Sequence, residues 1–133
     1  MSPRRSPRKR RADAERGSVT LQYVILIPAM FALIFTCIQV SLYSFARSVA
    51  LTAAEEAADA QRAYGAQDGV GRAKAEAIIA GQGDTLRNPQ VTVVIQGDEV
   101  VVTVTGRTQS VLPGFGGYEV RETASGPIEE FRP

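Results

Sequence analysis

The 133-residue chain has no histidine and no tryptophan, one cysteine, Cys37, and few aromatic side chains, five Phe and four Tyr. Without histidine it loses the commonest metal ligand and the commonest general base at neutral pH. A lone cysteine rules out an internal disulfide framework, and Cys37 reads as a small apolar residue. The length allows one ordinary domain, not two. Gly114-Phe115-Gly116-Gly117 has the glycines of a phosphate loop but no following Lys-Ser/Thr pair, so it reads as a turn. Glu55, Glu56 and Asp59 lack the paired spacing of a catalytic site and read as a solvated helix face. No catalytic residue, cofactor site or metal site is therefore expected.

Charge is also missing, from one place only: Gly17 to Ala46 carry none. The net +1 hides this, because residues 1–16 hold seven basic side chains against Asp13 and Glu15, a local +5, while the other 117 residues hold eight basic and twelve acidic ones, a local −4. Between Val19 and Ala46, 21 of 28 residues are apolar, and the exceptions, Thr20, Gln22, Pro28, Thr36, Gln39, Ser41 and Ser44, are uncharged. About 20 such residues cross a bilayer core of about 30 Å. Eleven residues of Leu21–Val40 are Leu, Ile, Val or Phe, which favours insertion by on the order of 3–7 kcal/mol. Residues 18–46 therefore read as a transmembrane helix behind a basic leader, 1–17. Val19 stands near its start, Phe31 in the middle and Ala46 at its end, with Tyr23 and Tyr43 near the two interfaces and Pro28 removing one backbone hydrogen bond. The basic flank belongs in the cytoplasm, which sends the C-terminal part across the membrane. The tandem Ser2-Pro3-Arg4-Arg5 and Ser6-Pro7-Arg8-Lys9 could grip nucleic acid, but membrane orientation explains the same charges, and no nucleic-acid partner is expected.

Helical spacing continues through Ala46, Val49, Ala50, Ala53, Ala54, Ala57, Ala60 and Ala63, so residues 47–64 read as an extension of the same helix. A single helix over 18–63 would be on the order of 70 Å long. Its alanine stripe suits either a neighbouring helix or the chain's own sheet. Residues 65–133 read as a small α+β head, with a short helix over 71–80 and strands near 90–96, 99–106 and 117–124. Asn88-Pro89 is expected to close the helical half. Gly97-Asp98 is a two-residue hairpin signal of the II′ kind. It pairs Gln96 with Glu99 and, five steps on, Val91 with Val104, which places Val91, Val93, Ile95, Val100, Val102 and Val104 on one face.

The junction Glu15-Arg16-Gly17-Ser18-Val19-Thr20-Leu21-Gln22-Tyr23-Val24, followed by Ile25-Leu26-Ile27-Pro28, resembles the N-terminal signature of TadE-like proteins, minor pseudopilins of the Tad (Flp-type) pilus. The likeness runs on through Val40–Leu51, the alanine-rich Thr52–Ala63, the valine hairpin and Val111–Gly117, covering most of Glu15–Glu130. It implies a pilin-like fold, no enzymatic activity, and cleavage by a prepilin-type peptidase between Gly17 and Ser18. Where the family pattern has a glutamate before an aromatic residue, this chain has Gln22 before Tyr23. That amide keeps the hydrogen-bonding shape without the charge that pairs with a neighbouring subunit's N-terminal amine.

The resemblance further implies a single-pass cytoplasmic-membrane protein with its N-terminus inside and its head outside, which takes part in pilus assembly and enters a surface pilus or primes one. Its partners would be other pilin-like subunits, the assembly platform, the peptidase and the lipid bilayer, with no small-molecule substrate. Two other readings fit parts of the sequence. One is a generic single-pass protein whose outer domain recruits a partner, and the other is a secreted domain released after Ser44-Phe45-Ala46.

Overall fold

A computed structural model describes residues 7–131, with side chains from Arg16 onward. The Ser-Pro repeat at residues 2–5, the rest of the leader up to residue 6, and all leader side chains before Arg16 lie outside that description. Helix α1 spans Pro7–Arg62, helix α2 Val70–Gly81, and strands β1, β2 and β3 Leu86–Gln96, Glu99–Thr108 and Glu119–Pro127, with a one-turn 3-10 helix at Gly83–Thr85. The fold is α+β: a long apolar N-terminal helix, a short second helix and a three-stranded antiparallel sheet of order β1-β2-β3. The chain divides into two compact units, Met1–Cys37 and Ile38–Pro133.

In the first unit α1 begins at Pro7 rather than after the leader. Proline suits a first helical position, where its missing N–H costs nothing, and Arg, Lys and Ala that follow are good helix formers. Gly17 thus sits inside a helix. From Val19 to Phe35 the large apolar side chains are exposed, Val24, Ile25 and Leu33 by more than 60%. The most apolar 18-residue window of this helix has a mean hydropathy of 2.3, yet only 6% of it is buried. Thr20 and Thr36 donate their hydroxyls to the carbonyls of Arg16 and Ala32 one turn back, the local bond that satisfies a hydroxyl where water is scarce.

The second unit is built on the other half of α1. Ala46, Ala50, Ala53, Ala54 and Ala57 are fully buried and form one core with Ala75, Ile79, Leu86, Val91, Val100, Val102, Val104 and Val120. The alanine stripe therefore serves the chain's own sheet and α2. Methyl side chains let the helix lie close over β2, whose valines supply the bulk.

The hairpin has the register its two-residue loop dictates, Gln96 opposite Glu99 through Val91 opposite Val104. Gly97 has φ 60 while Asp98 stays out of the positive-φ region, the II′ pattern. Of the six residues on the inward face, Ile95 alone is half exposed, because it lies at the hairpin tip. Asn88-Pro89 does not close the helical half; it lies within β1, which already starts at Leu86. Asn88 takes φ 47, and the register shifts between Arg87 and Gln90. A proline is tolerated there because β1 is an edge strand and the ladder is interrupted by a bulge. β3 likewise starts two residues late and runs on to Pro127.

Helix α2 crosses α1 at Gly71. A Cβ at that position would stand 2.7 Å from the Ala57 carbonyl oxygen and 2.9 Å from Gln61 Cβ. Gln61, only 6% exposed, locks the crossing: its Oε1 accepts the Gly71 N–H at 3.0 Å, and its Nε2 donates to the Gln67 carbonyl. One side chain of α1 thus does the work of an N-cap for α2.

Candidate membrane-anchoring and processing site

The residues proposed from sequence fall into two groups. Gly17, Ser18, Val19, Gln22, Tyr23, Pro28 and Phe31 all lie on the described part of α1 in the first unit and are exposed. They are spread along a helix surface. Ser18 and Gln22 are one turn apart on the same face. Gly17 has nothing within 4 Å of where a Cβ would stand, so no packing demand within the fold accounts for the glycine. Pro28 leaves the Val24 carbonyl without its helical donor. Phe31 stacks on Phe35 with ring centroids 6.5 Å apart.

Tyr43 and Ala46 belong to the second unit. Ala46, expected at the end of the span, is fully buried in the head core, and Tyr43 meets Tyr118 edge-on at 6.2 Å. Release of a secreted domain after Ala46 would require cutting inside α1, at a residue packed in that core. The head contacts reach further back, to Gln39, which is 6% exposed. Its Nε2 donates to the Gln109 carbonyl at 3.0 Å, and its Oε1 accepts the Val111 N–H at 3.3 Å. Sequence reasoning passed over Gln39 as one more uncharged exception. The signal available was its position between Ile38 and Val40, where a primary amide needs a partner to be buried.

Electrostatics fasten the head to its helix. Glu122 lies opposite Val104 and so faces inward from β3, an edge strand. Arg47 on α1 meets it, Nε to Oε1, at 2.6 Å. The hydrogen bond to Glu122 and then its charge raise the Arg47 guanidinium above its already high ordinary value. An inward charge also discourages pairing of a bare strand edge with another chain. At the far end Arg62 bonds Asp59 at 2.8 Å, and its carbonyl accepts the Glu129 N–H.

Among the described residues no group of three or more His, Cys, Asp or Glu is arranged to hold a metal ion. A cleft of about 300 Å³ in the head lies between the end of α2 and the bulge of β1, lined by Glu76, Ile79, Asp84, Leu86 and Pro89 among others. It brings together none of the residues proposed from sequence.

The family model described as TadE-like protein matches residues 17–59. Residues 17–59 are a TadE-like segment. It begins at Gly17 and ends at Asp59, taking in the exposed apolar stretch and most of the alanine stripe, 43 of the 133 residues. The valine hairpin and Val111–Gly117 lie beyond it, so the wider likeness over Glu15–Glu130 rests on resemblance alone. No curated protein and no solved structure matches the chain.

Proposed function

We propose that the chain is a non-enzymatic, membrane-anchored component of Tad/Flp-type pilus assembly, made as a precursor and cut between Gly17 and Ser18 by a prepilin-type peptidase. The observation that carries this is the TadE-like segment, which starts at Gly17 and leads into an uncharged helix whose large apolar side chains are left uncovered. Those side chains need lipid, since a soluble chain rarely exposes so continuous an apolar surface. The basic leader stays on the anionic cytoplasmic face and the head passes outward. The span runs from Val19 to about Ile38, because Gln39 is already taken up by the head. Other pilin-like subunits and the membrane assembly platform are the partners that such a component serves, and the cut leaves a mature chain with a net charge of −4, eight basic side chains against twelve acidic.

A peptidase works on extended backbone, so the helix around Gly17 must unwind before the cut. Glycine weakens a helix interior by about 1 kcal/mol relative to alanine, and it admits a protease to the backbone. Intact mass measured in cells with and without the matching peptidase tests this. A mature N-terminus at Ser18, and accumulation of precursor in Gly17→Ala, are expected. Peptidase-independent precursor, or processing untouched by the substitution, removes the processing claim.

A further inference from the structure

The loop between β2 and β3, residues 109–118, has a composition unlike that of a water-facing connection. It carries no charge, and it exposes Val111 by 37%, Leu112 by 46%, Phe115 by 38% and Tyr118 by 52%. Phe115 packs edge-on against Tyr118 at 5.0 Å, and Tyr118 in turn meets Tyr43 at 6.2 Å, making a row of three aromatic rings. This row lies at the first turns of α1 within the head, where Gln39 holds the loop backbone.

The second observation concerns the loop's own polar groups. Arg107 donates to the carbonyls of Gly116 and Gly117 at 3.2 and 3.1 Å. The Ser110 hydroxyl accepts the Leu112 N–H, the Phe115 N–H reaches the Leu112 carbonyl, and the Thr108 hydroxyl accepts the Tyr118 N–H. Gln39 satisfies the Gln109 carbonyl and the Val111 N–H. Backbone groups already paired within the fold cost less to take out of water.

We propose that the loop is a membrane-docking element: Leu112 and Phe115 enter the headgroup region of the outer leaflet, with Tyr118 and Tyr43 at the interface, so that the head is seated on the bilayer as well as tethered to it. This rests on the reading of Val19–Ile38 as a span. The occupant is lipid because the loop is held on Gln39, between the exposed Ile38 and Val40 at the apolar start of the head's own stretch of α1, and is built of aromatic and aliphatic side chains suited to an interfacial belt.

The absence of tryptophan makes the test direct, since any introduced indole is the sole one. Four full-length variants, Leu112→Trp, Phe115→Trp, Phe31→Trp and Tyr64→Trp, are reconstituted in phosphatidylcholine–phosphatidylglycerol vesicles with and without brominated acyl chains. Tyr64 is 71% exposed at the other end of the head's helix and serves as the aqueous reference; Phe31 reports on the span. Brominated lipid should quench Leu112→Trp and Phe115→Trp about twofold or more, as it does Phe31→Trp, and leave Tyr64→Trp unchanged. If Phe31→Trp alone is quenched, the loop proposal fails and the span stands. If Phe31→Trp is unquenched too, the span reading has failed and takes the loop with it. A blue shift in Phe115→Trp that follows protein density, without quenching by brominated lipid, assigns the patch to a second copy and overturns the proposal.

Discussion

Two glycines of α2 offer the same chemical change with opposite expected results. At Gly71 an added methyl meets the Ala57 carbonyl oxygen at 2.7 Å and Gln61 Cβ at 2.9 Å, whereas at Gly81 nothing lies within 4 Å. Non-bonded carbons prefer separations of roughly 3.5–4.0 Å, so α2 must withdraw from α1 by several tenths of an ångström or more. Overpacking of this kind costs about 1–3 kcal/mol. The withdrawal also stretches the 3.0 Å bond from the Gly71 N–H to Gln61, and the usual gain of about 1 kcal/mol for replacing a helical glycine offsets little of this in the first turn. A net loss of about 1–2 kcal/mol lowers the protection of the α2 amides roughly 5–30-fold. Gly81→Ala has open space and should leave protection unchanged or raise it. Hydrogen exchange followed by mass spectrometry, on the full chain in detergent micelles, reads both. Equal responses of the two variants, or undiminished protection in Gly71→Ala, would show that α2 is not held by this crossing.

Gln39→Leu removes the amide that satisfies Gln109 and Val111; with two backbone groups left unpaired in a half-buried place, a loss of about 1–3 kcal/mol is expected, seen as faster exchange confined first to residues 109–118. Gly117 has φ +79, and a Cβ there would run into the Thr108 carbonyl, so Gly117→Ala should lower the thermal midpoint of the head well below that of Gly114→Ala. Gly114 shares a positive φ of 75 but faces open space, leaving a backbone penalty of about 1 kcal/mol. Similar midpoints for the two would contradict the close approach.

The hairpin was legible because a two-residue loop leaves one register, and period two then assigns every valine to a face. Asn88-Pro89 was misread because proline in a sequence signals the end of an element, while an edge strand with a bulge accommodates it; which strand is at the edge is a property of the sheet, not of the local sequence. The alanine stripe left two partners open, since a neighbouring helix and a sheet ask the same small side chains of α1. Only the burial of Ala46 to Ala57 beside Val100, Val102 and Val104 separates them. Gln39 escaped notice because its partners are 70 and 72 residues away in sequence, and no local pattern carries that pairing.

Helix α1 carries two kinds of apolar side chain, and on the proposed reading their size matches one kind to lipid and the other to the sheet. Up to Ile38 the apolar residues of α1 are mostly Leu, Ile, Val, Phe and Met, side chains that bury most surface when surrounded by lipid and that would hold a sheet at a distance. From Ala46 onward the inward positions are mostly alanine, which gains little in lipid but lets β2 approach closely. Alanine at 25, 27, 31, 34 and 35 would leave the helix intact and weaken the anchor. Leucine at 50, 53 and 57 would strengthen the apolar character and expel the sheet. Gln39, an amide that a dry core does not accept alone, is stable in the head because the 109–118 loop brings it a donor and an acceptor.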